Sequence, residues 1–249
     1  MKKKLVFGGM GLYPEQITLE TVAALRKCGT VYLTCIRKEQ AGVLLSLFPK
    51  AELVSVIPFE VLILKVMGAF QRHDLVGVLD YGDPSFLCAF SGRLRQECAR
   101  AGAGFMEYRA VSSLNALIAD LGLGDLAPAG LYLATANNWE IPSKFIDPAV
   151  PLLLFSPDRE SQRGDPQGLL AKVVTDIQRV YPPGHGVYFM TCQSASAGGK
   201  RTRKVKVSGL RKAISSLKFD STIFIPGVEK KKGLIKKVVG KVGKLHGGA

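Results

Sequence analysis

A two-domain α/β protein is what this sequence predicts. Three observations carry that expectation. Short apolar runs of strand length alternate with segments of helical periodicity, a Gly- and Pro-rich break falls near the middle, and polar turns bearing Gly or Ser follow three of the apolar runs. Alternation of this kind builds a parallel or mixed sheet covered by helices.

The elements follow in order. Leu5-Val6-Phe7 is a buried strand that runs into Gly8-Gly9-Met10-Gly11, and Thr18 caps a helix marked by Leu19, Val22, Ala23 and Leu25. Val31 to Ile36 is the second strand, Leu53 to Ile57 the third and Leu75 to Leu79 the fourth, with helices between them. The turn Asp80-Tyr81-Gly82-Asp83-Pro84 leads to an amphipathic helix over about 85–101. A strand at Phe105 to Tyr108, the turn Arg109 to Ser113 and a helix through Leu121 repeat the unit. The stretch from Gly122 to Gly130 marks a boundary, placing an N-terminal domain at 1–126 and a C-terminal domain at 127–228. Strands are expected in the second domain at Leu131 to Thr135, Leu152 to Phe155, Gly186 to Cys192 and Ser221 to Ile225. Its helices are expected at Pro166 to Val180 and near Ser208 to Leu217.

At 249 residues and 47% hydrophobic, the chain has the composition of a folded protein. No apolar run approaches the roughly 20 residues of a spanning helix, and the opening MKKKLVFGGMGL reads as a strand rather than a signal segment. Five cysteines without a CxxC pair and three scattered histidines argue against a zinc site, a disulfide framework and a Ser-His relay. No metal is expected, and a reducing cytoplasm fits best. The net charge of +14 is concentrated: Lys200 to Lys244 holds 15 Lys or Arg against Asp220 and Glu229, and the remainder is close to neutral. Residues 229–249, with seven lysines and five glycines, read as a basic flexible tail with a possible weak attraction for polyanions.

Three turns sit at the C-terminal ends of expected parallel strands, where open α/β sheets place their ligands. They are Gly8 to Thr18, Tyr81 to Phe86 and Ala110 to Ser113. Glycine in the first allows close ligand approach, Gly82-Asp83-Pro84 offers main-chain groups and a carboxylate, and Ser112 and Ser113 offer hydroxyls and amides at a helix start. GGMGLY lacks the full GxGxxG spacing of a dinucleotide fold.

GGMGLYPEQITLETVAALRKCGTVYL resembles the opening of the tetrapyrrole-methylase superfamily, YGDPSF its GDP turn, AVSS its Pro-Gly-Val-Ser-Ser turn, and STIFIPGV its final strand. The resemblance covers about residues 4 to 228. It implies a methyltransferase with S-adenosylmethionine bound in a cofactor cleft between two α/β domains. Carried over residue by residue, it implies donor contacts from Gly11, Tyr81, Gly82, Asp83, Phe86, Ser112 and Ser113, with Ser156 and Thr191 from the second domain. Arg109 and Ala110 stand where the superfamily has Pro-Gly. The acceptor is a tetrapyrrole-like molecule or a peptide, since ITLETVAALRKCGTVY and SSLNALIADLGL also resemble the borosin-type peptide backbone N-methyltransferases. The superfamily implies a homodimer. A non-catalytic protein that binds the donor and docks on polyanions is the alternative of a different class.

Transfer from a sulfonium is displacement at an activated carbon, which asks the protein mainly for alignment and exclusion of water. No catalytic residue is therefore assigned. Tyr13, Tyr32, Tyr81, Asp83 and Arg109 lie on or near the expected ligand edge, where packing and turn hydrogen bonds account for each.

Overall fold

The strand that opens the chain, β1 (Lys4–Gly9), is buried from Leu5 onward on both faces, and its unbroken apolar run reflects this. In the computed structural model, which describes residues 3–54, 58–124, 130–136, 139, 145–156, 168–191, 201–215 and 221–228, β1 lies inside a five-stranded sheet. Its neighbours are β4 (Leu75–Asp80) and β5 (Gly104–Tyr108); β2 (Thr30–Thr34) and β3 (Ala51–Leu53) follow on the β4 side, giving the order β3-β2-β4-β1-β5. Every pair in it is parallel.

Side-chain alternation sorts the helices onto two faces. Val6, Val31, Leu33 and Leu79 pack with Ala24 and Leu25 of α1 (Leu19–Leu25) and Leu44 of α2 (Lys38–Leu47). Leu5, Phe7, Tyr32, Val76 and Val78 pack with Leu62, Ile63 and Val66 of α3 (Phe59–Gly68) and Phe90 and Leu94 of α4 (Ala89–Arg100). The connection after β1 thus crosses one face and the connection after β4 the other. Adjacent strands whose connections diverge leave a ligand crevice at their C-terminal ends.

The second sheet is mixed. Its order is β6-β7-β10-β8-β9, from β6 (Tyr132–Thr135), β7 (Leu152–Phe155), β8 (Gly186–Thr191), β9 (Arg201–Lys206) and β10 (Ser221–Ile225). Only β6 and β7 pair in parallel; β10 runs antiparallel between β7 and β8. Leu170, Val173, Val174 and Ile177 recur at helical spacing on α6 (Leu169–Val180) and bury against Leu152, Leu154, Val187, Phe189, Ile223 and Ile225. Buried Trp139 donates its indole N–H to Asp176 Oδ2 at 3.0 Å, and Arg179 holds the other carboxylate oxygen at 2.7 Å. The short helix α7 (Leu210–Ile214) completes this side. The two sheets belong to separate compact units, Met1–Gly122 and Leu123–Ala249.

Three boundaries and one whole strand depart from expectation. β2 stops at Thr34 because Cys35 takes a left-handed backbone (φ 55°), and α4 starts at Ala89 rather than near 85 because Leu87 does the same (φ 55°). β3 pairs through Ala51–Leu53, earlier than expected, with 55–57 outside the described residues. Arg201–Lys206 was expected only as cationic chain, yet it is an edge strand. It pairs with β8 along its whole length, and the Arg203 guanidinium and Lys204 ammonium lie over the rings of Phe189 and Tyr188 at 5.0 and 5.4 Å. Charged side chains on an edge strand also discourage pairing with another chain. Cys192 and the basic tail at 229–249 lie outside the described residues. Among the described residues no helix is long and apolar enough to cross a membrane.

Candidate functional site

β4, β1 and β5 are neighbours, so the turns that follow them share one edge of the first sheet. The β1–β4 pairing runs past the strands themselves: Met10 N–H donates to Asp80 O at 2.8 Å, and Gly11 and Gly82 exchange hydrogen bonds of 3.2 and 2.9 Å. Both glycines have left-handed backbones, φ 80° and 77°, which a side chain would strain.

Gly9 is where the three turns meet. A Cβ there would press into the Gly82 carbonyl oxygen and stand 2.8 Å from both Pro84 Cδ and Ala110 Cβ. The Asp83 carboxylate ties the same turns together, accepting Ser85 N–H at 2.7 Å and the Ser85 hydroxyl through Oδ1, and Ala110 N–H at 3.0 Å through Oδ2. Its buried position and full set of donors make it a brace between turns. Phe86 N–H closes the turn onto Asp83 O at 3.0 Å.

The first loop is held from the side. Gln16 Oε1 accepts Leu12 N–H at 2.8 Å, and Gln40 of α2 donates to Leu12 O at 3.2 Å. Gln40 donates there through Nε2, and the oxygen of the same amide, Oε1, is buried without a hydrogen-bond partner. Thr18 caps α1 by accepting Thr21 N–H at 3.1 Å, as the sequence predicts.

Ser112 is the N-cap of α5 (Ser113–Asp120), with a reciprocal capping box to Asn115: its Oγ accepts Asn115 N–H at 3.2 Å and its N–H donates to Asn115 Oδ1 at 3.4 Å. The Ser112 hydroxyl is thus engaged in the cap, and Ser113 is the first helical residue. Ser112→Ala is expected to cost about 1 kcal/mol, read as a lowered urea midpoint, with Ser112→Asn recovering most of it.

The structure therefore assembles Gly11, Tyr81, Gly82, Asp83, Phe86, Ser112 and Ser113 along one sheet edge. Ser156 and Thr191 lie in the second unit, at the C-terminal ends of β7 and β8. Those strands run in the same direction on either side of β10, so the two residues share an edge of the second sheet. Ser156 has a left-handed backbone (φ 57°).

Asp80, the last residue of β4, was no candidate in the sequence. It is buried; its Oδ1 accepts Tyr81 N–H at 2.9 Å and its Oδ2 takes the Cys88 thiol at 3.4 Å, with the Cys35 thiol and Thr34 hydroxyl also against it. Burial raises its pKa above the ordinary carboxyl value, and these donors offset that only in part. Burial, then the Asp80 charge, pushes the Cys88 thiol up to about 12. A carboxyl with a raised folded pKa binds more protons folded than unfolded across the interval between its two pKa values, so its contribution to stability is lost as pH rises through the folded pKa. Asp80→Asn is expected to remove that loss, so its melting temperature gains on the wild type as pH increases from acid to neutral. A pH-independent difference would show that Asp80 does not titrate in this way. Gly9, missed as well, carried a signal in its Gly-Gly pair. Asp80's only signal was one acid ending an apolar run.

No family model matches the sequence, and no curated protein matches it. Solved structures do. The chain is similar to uroporphyrin-III-C-methyltransferase from Thermus thermophilus at 21% identity and TM-score 0.66, covering 100% of this chain and 99% of that one. It is also similar to uroporphyrin-III C-methyltransferase from Thermus thermophilus complexed with S-adenosylhomocysteine, at 18% identity and TM-score 0.65, over 90% and 97% of the two chains. The chain has the fold of these proteins.

Proposed function

We propose that the chain is an S-adenosylmethionine-dependent methyltransferase of the tetrapyrrole-methylase type. The observation that carries the reading is the meeting of three turns at Gly9 on the C-terminal edge of the parallel sheet. A neighbour of the same fold complexed with S-adenosylhomocysteine supports it.

The residues present fit such a donor. Gly82 borders open space, since a Cβ there would meet nothing within 4 Å, and its main chain is held in place by Gly11. The start of α5 offers amides for a carboxylate, and the unfilled acceptor Gln40 Oε1 lies beside the first loop. When bound, S-adenosylmethionine supplies a methyl group already activated by its sulfonium. The protein's own part is rigid presentation: Asp83 braces two turns, Gln16 and Gln40 fix the first loop, and buried Leu12, Met10 and Pro84 exclude water from beneath them.

The neighbours' acceptor, uroporphyrin-III, makes a tetrapyrrole the first acceptor to try and a peptide the second. Titration calorimetry should give micromolar binding of S-adenosylmethionine and S-adenosylhomocysteine, and labelled methyl should move to one acceptor class. Absence of binding to either adenosyl compound by well-folded protein would end the reading. Binding without transfer to any component of a cell lysate would favour the adaptor alternative.

A further inference from the structure

β4 is apolar from Leu75 to Leu79 and then ends in a carboxylic acid, at the level where the ligand edge begins. In register, Asp80 sits between Gly9 of β1 and Thr34 of β2, at the centre of the sheet. It is 5% exposed. Every group that meets it is neutral: the Tyr81 N–H, the Cys88 and Cys35 thiols, and the Thr34 hydroxyl, which also donates to Leu79 O at 3.4 Å. Among the described residues no Lys, Arg or His pairs with it.

A buried carboxylate held only by neutral donors has lost its hydration without gaining a counter-charge. Thiols are weak donors and recover little of that loss. Asp83, three residues on, shows the contrast, because its oxygens are consumed by amides and a hydroxyl that join two turns. Asp80 also reaches the end of β2 through Thr34 and Cys35 and the start of α4 through Cys88, but only by weak thiol donors and a hydroxyl that also serves Leu79 O, so bracing alone does not account for a carboxylate there. Retaining such a group at a ligand edge makes physical sense when the counter-charge arrives with the ligand. The donor read for this site is a cation at sulfur, and its demethylated product is neutral there; apart from that methyl group the two molecules are the same.

We propose that Asp80 is the counter-charge for the donor's sulfonium and sets the preference of the site for S-adenosylmethionine over S-adenosylhomocysteine. This rests on the reading of the site as a donor site. Once the methyl group has left, the sulfur is an uncharged thioether, the attraction is gone, and a buried negative charge again favours taking up a proton. The product is thereby held less firmly than the substrate.

The test compares three ligands on the full chain by calorimetry: S-adenosylmethionine, S-adenosylhomocysteine, and sinefungin, whose amine carries positive charge in place of the sulfonium. In Asp80→Asn the two cationic ligands should each lose about tenfold or more in affinity, while S-adenosylhomocysteine stays within about twofold. Equal losses for all three, or no loss for any, would overturn the proposal. Should the variant not fold, the wild type decides. The affinity ratio of S-adenosylmethionine to S-adenosylhomocysteine should fall as the solution is acidified through the titration of Asp80, since protonated Asp80 attracts neither. The groups facing Asp80 are Thr34, Cys35, Tyr81 and Cys88, none of them cationic, and the ligands' shared groups cancel in the ratio. A flat ratio would overturn the proposal. If folded wild type binds none of the three ligands, the donor-site reading fails and takes this proposal with it; if it binds them and Asp80→Asn changes the three affinities equally or not at all, only this proposal fails.

Discussion

Gly9→Ala is expected to destabilise the first unit by about 3 kcal/mol and to abolish donor binding. The added methyl group meets the Gly82 carbonyl oxygen, Pro84 and Ala110 at once, and two of those contacts are backbone or ring atoms that cannot swing aside. Relief requires the Tyr81–Phe86 turn or the loop after β5 to move away from β1. Gly82→Ala provides the comparison. Its backbone is left-handed at φ 77°, so alanine there is strained by about 1 to 2 kcal/mol, but its Cβ meets nothing within 4 Å. Denaturant unfolding should therefore rank Gly9→Ala as the more damaging of the two. The reverse order would mean that the turns do not converge on Gly9 in solution.

Asp83→Ala is expected to cost about 3 kcal/mol and at least tenfold in donor affinity, by a different route. It removes no packing of consequence, but it leaves the half-buried Ala110 amide without an acceptor and frees the Ser85 amide at the exposed end of the turn. Asparagine can serve one of those amides with its single oxygen while its NH2 faces the other, so Asp83→Asn should fall between wild type and alanine. Hydrogen exchange supplies the local readout: the Ala110 amide should lose protection in both variants, more in alanine. Unchanged exchange at Ala110 in Asp83→Ala would show that the brace carries no weight.

What could be read from the residues, and what could not, divides along the physical kind of signal. The turns were legible because each uses a residue with few structural substitutes: left-handed glycine at 11 and 82, proline at 84, a capping serine at 112. β1 and β4 were legible because a strand covered on both faces must be apolar throughout. β9 was not, since Arg-Thr-Arg-Lys-Val-Lys has one apolar residue in six and its strand state comes from pairing with β8, a contact made across the sheet. Helix α4 was placed too early because nothing in Ser85-Phe86-Leu87-Cys88 announces a left-handed leucine, a conformation that the residue type itself disfavours. Asp83 was read as a ligand contact on its resemblance, and the structure adds that its oxygens also brace two turns; Asp80, which no motif flagged, is buried among neutral donors, with no cation beside it among the described residues.

The order β3-β2-β4-β1-β5 also bears on how the chain reaches its native state as it is made. Lys4 finds its partners Leu75 and Gly104 only after about 70 and about 100 further residues have been synthesised. Until then β1 is an apolar strand with two open edges and neither sheet partner in reach. At about 5 to 20 residues per second that interval lasts roughly 5 to 20 seconds, far longer than local helices need to form. A nascent chain arrested before Tyr108 should therefore hold α1 and α2 as fluctuating helices around an unpaired Leu5-Val6-Phe7, a natural target for a holding chaperone. Arrest far enough beyond Asp120 for α5 to clear the exit tunnel should release it, as β5 closes the sheet in a single cooperative step.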